Sequence, residues 1–217
     1  DAPHLVHSSG KPKLLLRHDI DIDLTKAMRM AEIDREAGMR ACYMVMVNSP
    51  LYDVEDPESQ SLLRQMARMG HEIALHFDFD RRDGDAARNL PTDVVEELIR
   101  ESCRRLERAL GEAVRSISFH RPMPEFLGGP MRVAGRVNAY AKDLMIWYLS
   151  DSKGAWREGE PLPMLLNPDR PLLQLLIHPI WWGETHQTAE DRLQTFFEEK
   201  TGNMPASWGQ KFDEALA

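Results

Sequence analysis

Lys13-Leu14-Leu15-Leu16-Arg17-His18-Asp19-Ile20-Asp21 is the stretch that decides the architecture. The run has the length of a buried strand and stops on two carboxylates with one residue between them; a helical pattern begins at Leu24. A strand followed at once by a helix is a β/α unit. In parallel α/β folds the loops after the strands converge on one rim, which is where ligands and catalytic groups collect. Asp19 and Asp21 are expected at that rim, and their spacing of two turns both to one side of an extended chain, within reach of one cation or one substrate atom. Asp23, directly before Leu24, is the expected helix N-cap.

Outward from this unit, strand and helix alternate. Residues 24–38 read as a helix stopped by Gly38, 41–47 as a second apolar strand, and 57–69 as a helix opened by Pro57 and ended by Gly70. Residues 71–77 form a third strand. The clearest helix spans 92–110, with Val95, Leu98, Ile99, Leu106 and Leu110 on a stripe and Gly111 after it. Residues 114–119 read as a fourth strand, 121–137 as a Pro/Gly-rich loop, 145–149 as a short extended piece, 171–177 as a buried strand and 188–200 as a helix. Residues 1–12 look like a loose lead-in. This alternation predicts an α/β fold, a mainly parallel sheet forming a deformed or incomplete (β/α) barrel, in one domain over residues 1–217 with no linker.

Composition narrows the function. The chain has 217 residues, 42% hydrophobic and 29% charged, with no apolar stretch long enough to cross a bilayer. Its 27 basic against 35 acidic residues leave a net charge of −8 and no basic stripe, which argues against a nucleic-acid partner. Cys42 and Cys103 read as reduced packing residues, and no charged-then-apolar leader opens the sequence, so a cytoplasmic setting is expected. Met28, Met30, Met44 and Met46 read as core filling.

The informative pattern is what ends each strand: Asp19 and Asp21, then His76-Phe77-Asp78, His120-Arg121-Pro122, Asp151-Ser152 and His178-Pro179. Strands built of Leu, Ile and Val have no propensity reason to finish on His and Asp, so one shared site is the economical explanation. His71 lies five residues before His76, on the opposite face of an extended chain, and reads as structural. Arg121 is expected to pair with a site carboxylate, Asp151 being the natural partner. Trp181 and Trp182 suit either the core or a flat apolar face for a sugar ring.

The same residues carry a family resemblance. Asp19-Ile20-Asp21, Gly70-His71-Glu72-Ile73-Ala74-Leu75-His76, Arg121-Pro122, Asp151 with Trp156, and Leu176-Ile177-His178-Pro179 resemble, in order, the five motifs of the polysaccharide deacetylase superfamily. This is carbohydrate esterase family 4, NodB-like, and the chain looks most like a divergent WbmS-like branch found with surface-polysaccharide genes. The resemblance covers about residues 13–182. It implies a deformed (β/α) barrel, a divalent metal and hydrolysis of N-acyl groups on amino sugars. It further implies Asp19 as base, Asp21 and His76 as metal ligands, and His178 as general acid. The family's second metal histidine, four residues after the first, is replaced here by Asp80, which leaves Asp80 or His120 as third ligand. His120 is preferred because residues 78–85 read as a solvated, charged, Gly-containing loop. Zinc suits such a set; iron, manganese or cobalt would also fit.

The expected activity is therefore metal-dependent removal of an acetyl or formyl group from an amino sugar or sugar conjugate, in surface-polysaccharide biosynthesis. Asp19, His178, Arg121 and Asp151 would be catalytic, Asp21, His76 and His120 would hold metal, and Trp156 and Trp182 would contact the carbohydrate. The alternatives are a metal hydrolase of a cyclic amide or ureide, and a non-catalytic carbohydrate-binding protein on the same fold.

Overall fold

The computed structural model describes residues 13–79, 90–167 and 172–201. The lead-in 1–12 and Asp80 lie outside the described residues. The strands are β1 (Lys13–Ile20), β2 (Cys42–Val45), β3 (Glu72–Phe77), β4 (Ser116–Phe119), β5 (Arg132–Val133), β6 (Arg136–Asn138), β7 (Tyr148–Ser150) and β8 (Leu172–Ile177). The helices are α1 (Leu24–Glu36), α2 (Pro57–Arg68), α3 (Thr92–Leu110), α4 (Pro161–Leu165) and α5 (Ala189–Thr201). None of the described helices is long and apolar enough to cross a membrane.

One sheet has the order β5-β6-β4-β3-β2-β1-β8-β7, and every pairing is parallel except the β5–β6 hairpin. β1 sits inside it, Asp19 beside Met44 of β2 and Arg17 beside Leu176 of β8. The sheet curls. Gln174 of β8 donates across the interior to the carbonyls of Ala139 and Leu144 at 2.9 and 3.1 Å, and Leu15 and Leu172 pack with Val137, Ala141 and Leu144. Residues 139–147 thus cover the gap between β6 and β8, while β5 and β7 stay unpaired with each other: an incomplete barrel, as the alternation of elements implied.

Local chemistry sets the boundaries. Asp23 caps α1 by accepting from the Thr25 amide at 2.8 Å, and Asp56 caps α2 ahead of Pro57. Gly111 ends α3 in the left-handed conformation, φ 81°. On α3 the buried stripe runs through Val95, Ile99, Cys103, Leu106 and Leu110; Leu98, expected on it, lies at its flank and is exposed. The stretch expected as a loop over 121–137 contains β5 and β6. They are joined by Ala134 and Gly135, both at positive φ (50° and 79°), the two-residue turn whose twist suits a hairpin. α4 also falls where no element was expected.

Strand alternation sorts β1 into two faces. Arg17 and Asp19 point into the curl, whereas His18 faces the helices, stacked on Tyr43 with ring centroids 4.6 Å apart. His18 Nε2 lies 2.9 Å from Asp34 Oδ2 of α1, and the Tyr43 hydroxyl donates to the same oxygen at 2.6 Å. His71 joins α1 to β2: its Nε2 lies 3.0 Å from the Ala31 carbonyl, and its Nδ1 accepts from the Ala41 amide at 3.3 Å. A second cluster of Ile22, Ile180, Leu193, Phe196 and Phe197 fastens α5 beneath the loop that carries Asp21.

Burial pushes the Asp34 carboxyl up, but His18 and Tyr43 outweigh it and hold it below its ordinary value. Its contribution is present above the ordinary carboxyl range and is lost as pH falls through the lowered value. Asp34→Ala, which strands two buried partners, should cost about 2–4 kcal/mol in urea unfolding at neutral pH, with an unchanged m-value.

Candidate functional site

Because the strands are parallel, the ends of β1, β3, β4, β7 and β8 share one rim. Of the ionisable residues predicted there, Asp19, Asp21, His76, His120 and His178 line one cavity of about 350 Å³, whereas Asp78, Arg121 and Asp151 stand behind its wall.

Asp21, His76 and His120 each offer a ligand atom, and these atoms lie within 4.8 Å of one another. Asp21 Oδ1 is 3.2 Å from His76 Nε2 and 3.6 Å from His120 Nδ1, and it is buried with no hydrogen-bond partner among the described residues. The His76 ring is aimed by Ser118, its register neighbour on β4, whose hydroxyl sits 2.6 Å from Nδ1 and leaves Nε2 facing Asp21. Burial would raise the Asp21 carboxyl, yet His120 and His76 hold it well below the ordinary range; burial would lower His120, yet Asp21 raises it. A buried carboxylate between two imidazoles is a place where positive charge is wanted, and a two-nitrogen, one-oxygen set suits zinc or a neighbouring divalent ion. The residues therefore fit a divalent metal; Asp80, the alternative third ligand, lies outside the described residues.

Asp19 stands beside this cluster, its Oδ2 3.5 Å from His76 Nε2. Arg17 grips it with two bonds, Nε to Oδ1 at 2.7 Å and Nη2 to Oδ2 at 2.6 Å. Arg17 also reaches the Tyr140 hydroxyl at 3.1 Å and Gln174 Oε1 at 3.4 Å. Burial would raise the Asp19 carboxyl, but Arg17 first and His76 next bring it below its ordinary value. Arg17 is the site residue that sequence reasoning missed; the available signal was an arginine two positions before Asp19, hence on the same face of the strand, directly after three leucines.

His178 follows β8 across the rim, with Nε2 3.7 Å from Asp21 Oδ2. Its Nδ1 lies 2.6 Å from Asp151 Oδ1, and its backbone amide donates to the same oxygen at 2.9 Å. β7 and β8 are neighbours, Ser150 beside Leu176, so the pairing follows from the sheet. Burial would lower the imidazole, but the Asp151 hydrogen bond and then the Asp21 and Asp19 charges push it up to about 9. A cation on Asp21 would offset part of this and leave the Asp151 bond.

Arg121 does not pair with Asp151. Its Nη2 lies 3.2 Å from both oxygens of Asp78. Phe77 and Phe119 are register partners on adjacent strands, so the residues just beyond them meet, while Asp151 is already taken by His178 and by the Trp182 indole N–H at 2.8 Å. Trp182 is exposed and meets Trp156 edge-on at 6.4 Å; the indole lining the cavity is that of Trp181.

No family model matches the sequence, and no curated protein matches it. Among solved structures the chain is similar to a peptidoglycan deacetylase from Bacillus subtilis (TM-score 0.49, 14% identity, covering 91% of this chain and 86% of that one). It is also similar to a family 4 acetyl xylan esterase from Clostridium thermocellum in complex with a cobalt ion (0.47, 14%, 87% and 84%). A third is a family 4 pseudoenzyme from Bacillus anthracis (0.47, 15%, 89% and 61%). The chain spans less than two thirds of that pseudoenzyme's length.

Ser118 touches the metal cluster only through His76. Ser118→Ala should keep the far-ultraviolet circular dichroism and weaken zinc binding, read by chelator competition, by roughly 10- to 100-fold.

Proposed function

We propose that this chain is a metal-dependent hydrolase that removes an N-acyl group, acetyl or formyl, from an amino sugar, in the manner of the polysaccharide deacetylases its motifs resemble. One observation carries the reading: on either side of the Asp21–His76–His120 cluster stand an acid held ionised by its own arginine and a histidine held protonated by its own carboxylate. A pair of groups pushed in opposite directions by their surroundings is how acid and base work is divided at neutral pH.

When bound, a divalent ion would supply Lewis-acid polarisation of the amide carbonyl and a lowered pKa for attacking water. Asp19 then removes the proton from water as its oxygen adds to the carbonyl carbon. Arg17 fixes the carboxylate plane and keeps it unprotonated beforehand. As the C–N bond breaks, His178 passes the Nε2 proton to the departing nitrogen, Asp151 holding Nδ1–H and so fixing which nitrogen faces the cavity. The products are a free amine and acetate or formate. The role of Arg121 is indirect: paired with Asp78, it braces the ends of β3 and β4, where His76 and His120 begin. Trp181, and beyond the cavity Trp156 and Trp182, offer apolar faces for a sugar ring.

The experiment is turnover of a panel of N-acetyl and N-formyl amino sugars by metal-loaded protein, with chelation as control. Asp19→Asn and His178→Ala should each retain one equivalent of metal and lose about a hundredfold or more in kcat; intact turnover in both would overturn the division of roles. Asp151→Asn should move the alkaline limb of the pH–rate profile to lower pH, because His178 loses the partner that raises it. Conversion of cyclic amides or ureides instead would favour the alternative hydrolase, and carbohydrate binding without any turnover would favour a non-catalytic protein.

A further inference from the structure

Beyond the strand-end groups, the cavity is lined by Lys153, Arg157, Glu158 and Trp181, none of which the hydrolytic chemistry requires. Among the described residues neither Lys153 nor Arg157 is ion-paired, whereas Arg17, Arg100, Arg104, Arg121 and Arg136 all are. Lys153 is also held in a left-handed backbone conformation, φ 59° and ψ 27°, that a side-chain-bearing residue adopts only at a cost.

The surroundings enforce that conformation. The turn at Ser152–Gly154 follows directly from Asp151 and is closed by the Gly154 amide donating to the Asp151 carbonyl at 2.9 Å. A Cβ on Gly154 would meet the Ala189 Cβ at 2.9 Å and Trp181 Cδ2 at 3.6 Å, so the turn is pressed between the start of α5 and the indole. The wall thus holds two cations with no ion-pair partner among the described residues, opposed by one carboxylate, Glu158. Lys153 and Arg157 outnumber Glu158 on this wall, which is therefore locally cationic in a chain of net charge −8, while Asp21 across the cavity faces His76 and His120. Such a chain repels anions at long range, and a local reversal of sign is what an anionic ligand would need.

We propose that Lys153 and Arg157 form a subsite for an anionic oxygen group, phosphate or carboxylate, carried by the substrate. This rests on the N-deacylase reading for what else the substrate contains. Lys153 and Arg157 then select the charged amino-sugar derivative over the neutral sugar, and the turn fixes the backbone from which the Lys153 side chain extends, directly after Asp151.

The test compares N-acetylglucosamine, N-acetylglucosamine 1-phosphate and N-acetylmuramic acid as substrates. In parallel, calorimetric titration of the zinc-loaded protein with glucosamine 1-phosphate, muramic acid and glucosamine reads binding without turnover. At least one anionic sugar should be preferred tenfold or more in kcat/KM, and Lys153→Ala/Arg157→Ala should reduce that preference about tenfold through KM, with the same loss of binding in calorimetry. A gain for the phosphate alone assigns a phosphoryl group, and for the muramic acid alone a carboxylate. Lys153→Gly, which relieves the backbone, should raise the melting temperature while weakening anion binding; unchanged binding would overturn the assignment of Lys153. If the neutral sugar is deacylated and neither anionic sugar is preferred or bound more tightly, the subsite is wrong and the hydrolase reading stands. If an anionic sugar binds through Lys153 and Arg157 but no amide is cleaved, the subsite stands and the hydrolase reading fails.

Discussion

The buried ion pair of Arg17 with Asp19 is the constraint on which the rest depends. Both side chains are almost wholly removed from water, and two charges so placed recover their lost hydration only if nearly every donor and acceptor is met. Asp19 receives both of its bonds from Arg17, and the remaining Arg17 donors reach Gln174 on the neighbouring β8 and, because the sheet curls, Tyr140 in the chain after β6. The curl of the barrel and the presentation of the proposed base are therefore one interaction seen from two sides. A change that removed the guanidinium would leave an uncompensated carboxylate in the interior.

Around this pair the rim follows a simple rule: each chemically active group is steadied by one partner from the same or an adjacent strand. Asp19 has Arg17 on β1 itself, His76 on β3 has Ser118 on β4, and His178 after β8 has Asp151 after β7. Parallel register makes such pairs cheap to build, because the ends of neighbouring strands are already level. It also keeps the three functions separate. The proposed base and the proposed acid approach the Asp21–His76–His120 cluster at 3.5 and 3.7 Å but do not share their second partners, so each can be tuned by a substitution that leaves the others in place.

Much of this was legible in the sequence, and what was not has a physical reason. Apolar strands that stop abruptly on Asp or His announce both the strand and the rim, which is why Asp19, Asp21, His76, His120 and His178 could be read as neighbours from residues far apart in the chain. The cap at Asp23 was readable because capping is local. Partner choice is not local: Arg121 meets Asp78 because β3 lies beside β4, and sheet order is invisible in any one motif. Arg17 was overlooked because an arginine that follows a leucine run reads as the polar end of the strand until its acceptors on β8 and after β6 are known. The β5–β6 hairpin escaped because its turn uses Ala134 at positive φ, where an asparagine or second glycine would have signalled it.

The barrel is left open, and its openness has a consequence for how the molecule meets its neighbours. An unpaired strand exposes a row of amides and carbonyls that another chain can extend, and long flat edges invite that association. Here the two terminal strands of the sheet are only two and three residues long. One of them is half of a tight hairpin, and the other passes straight into the Ser152–Gly154 turn. Among the described residues neither offers a run long enough to template a partner strand, so the fold forgoes closure without presenting a long edge for another strand to extend.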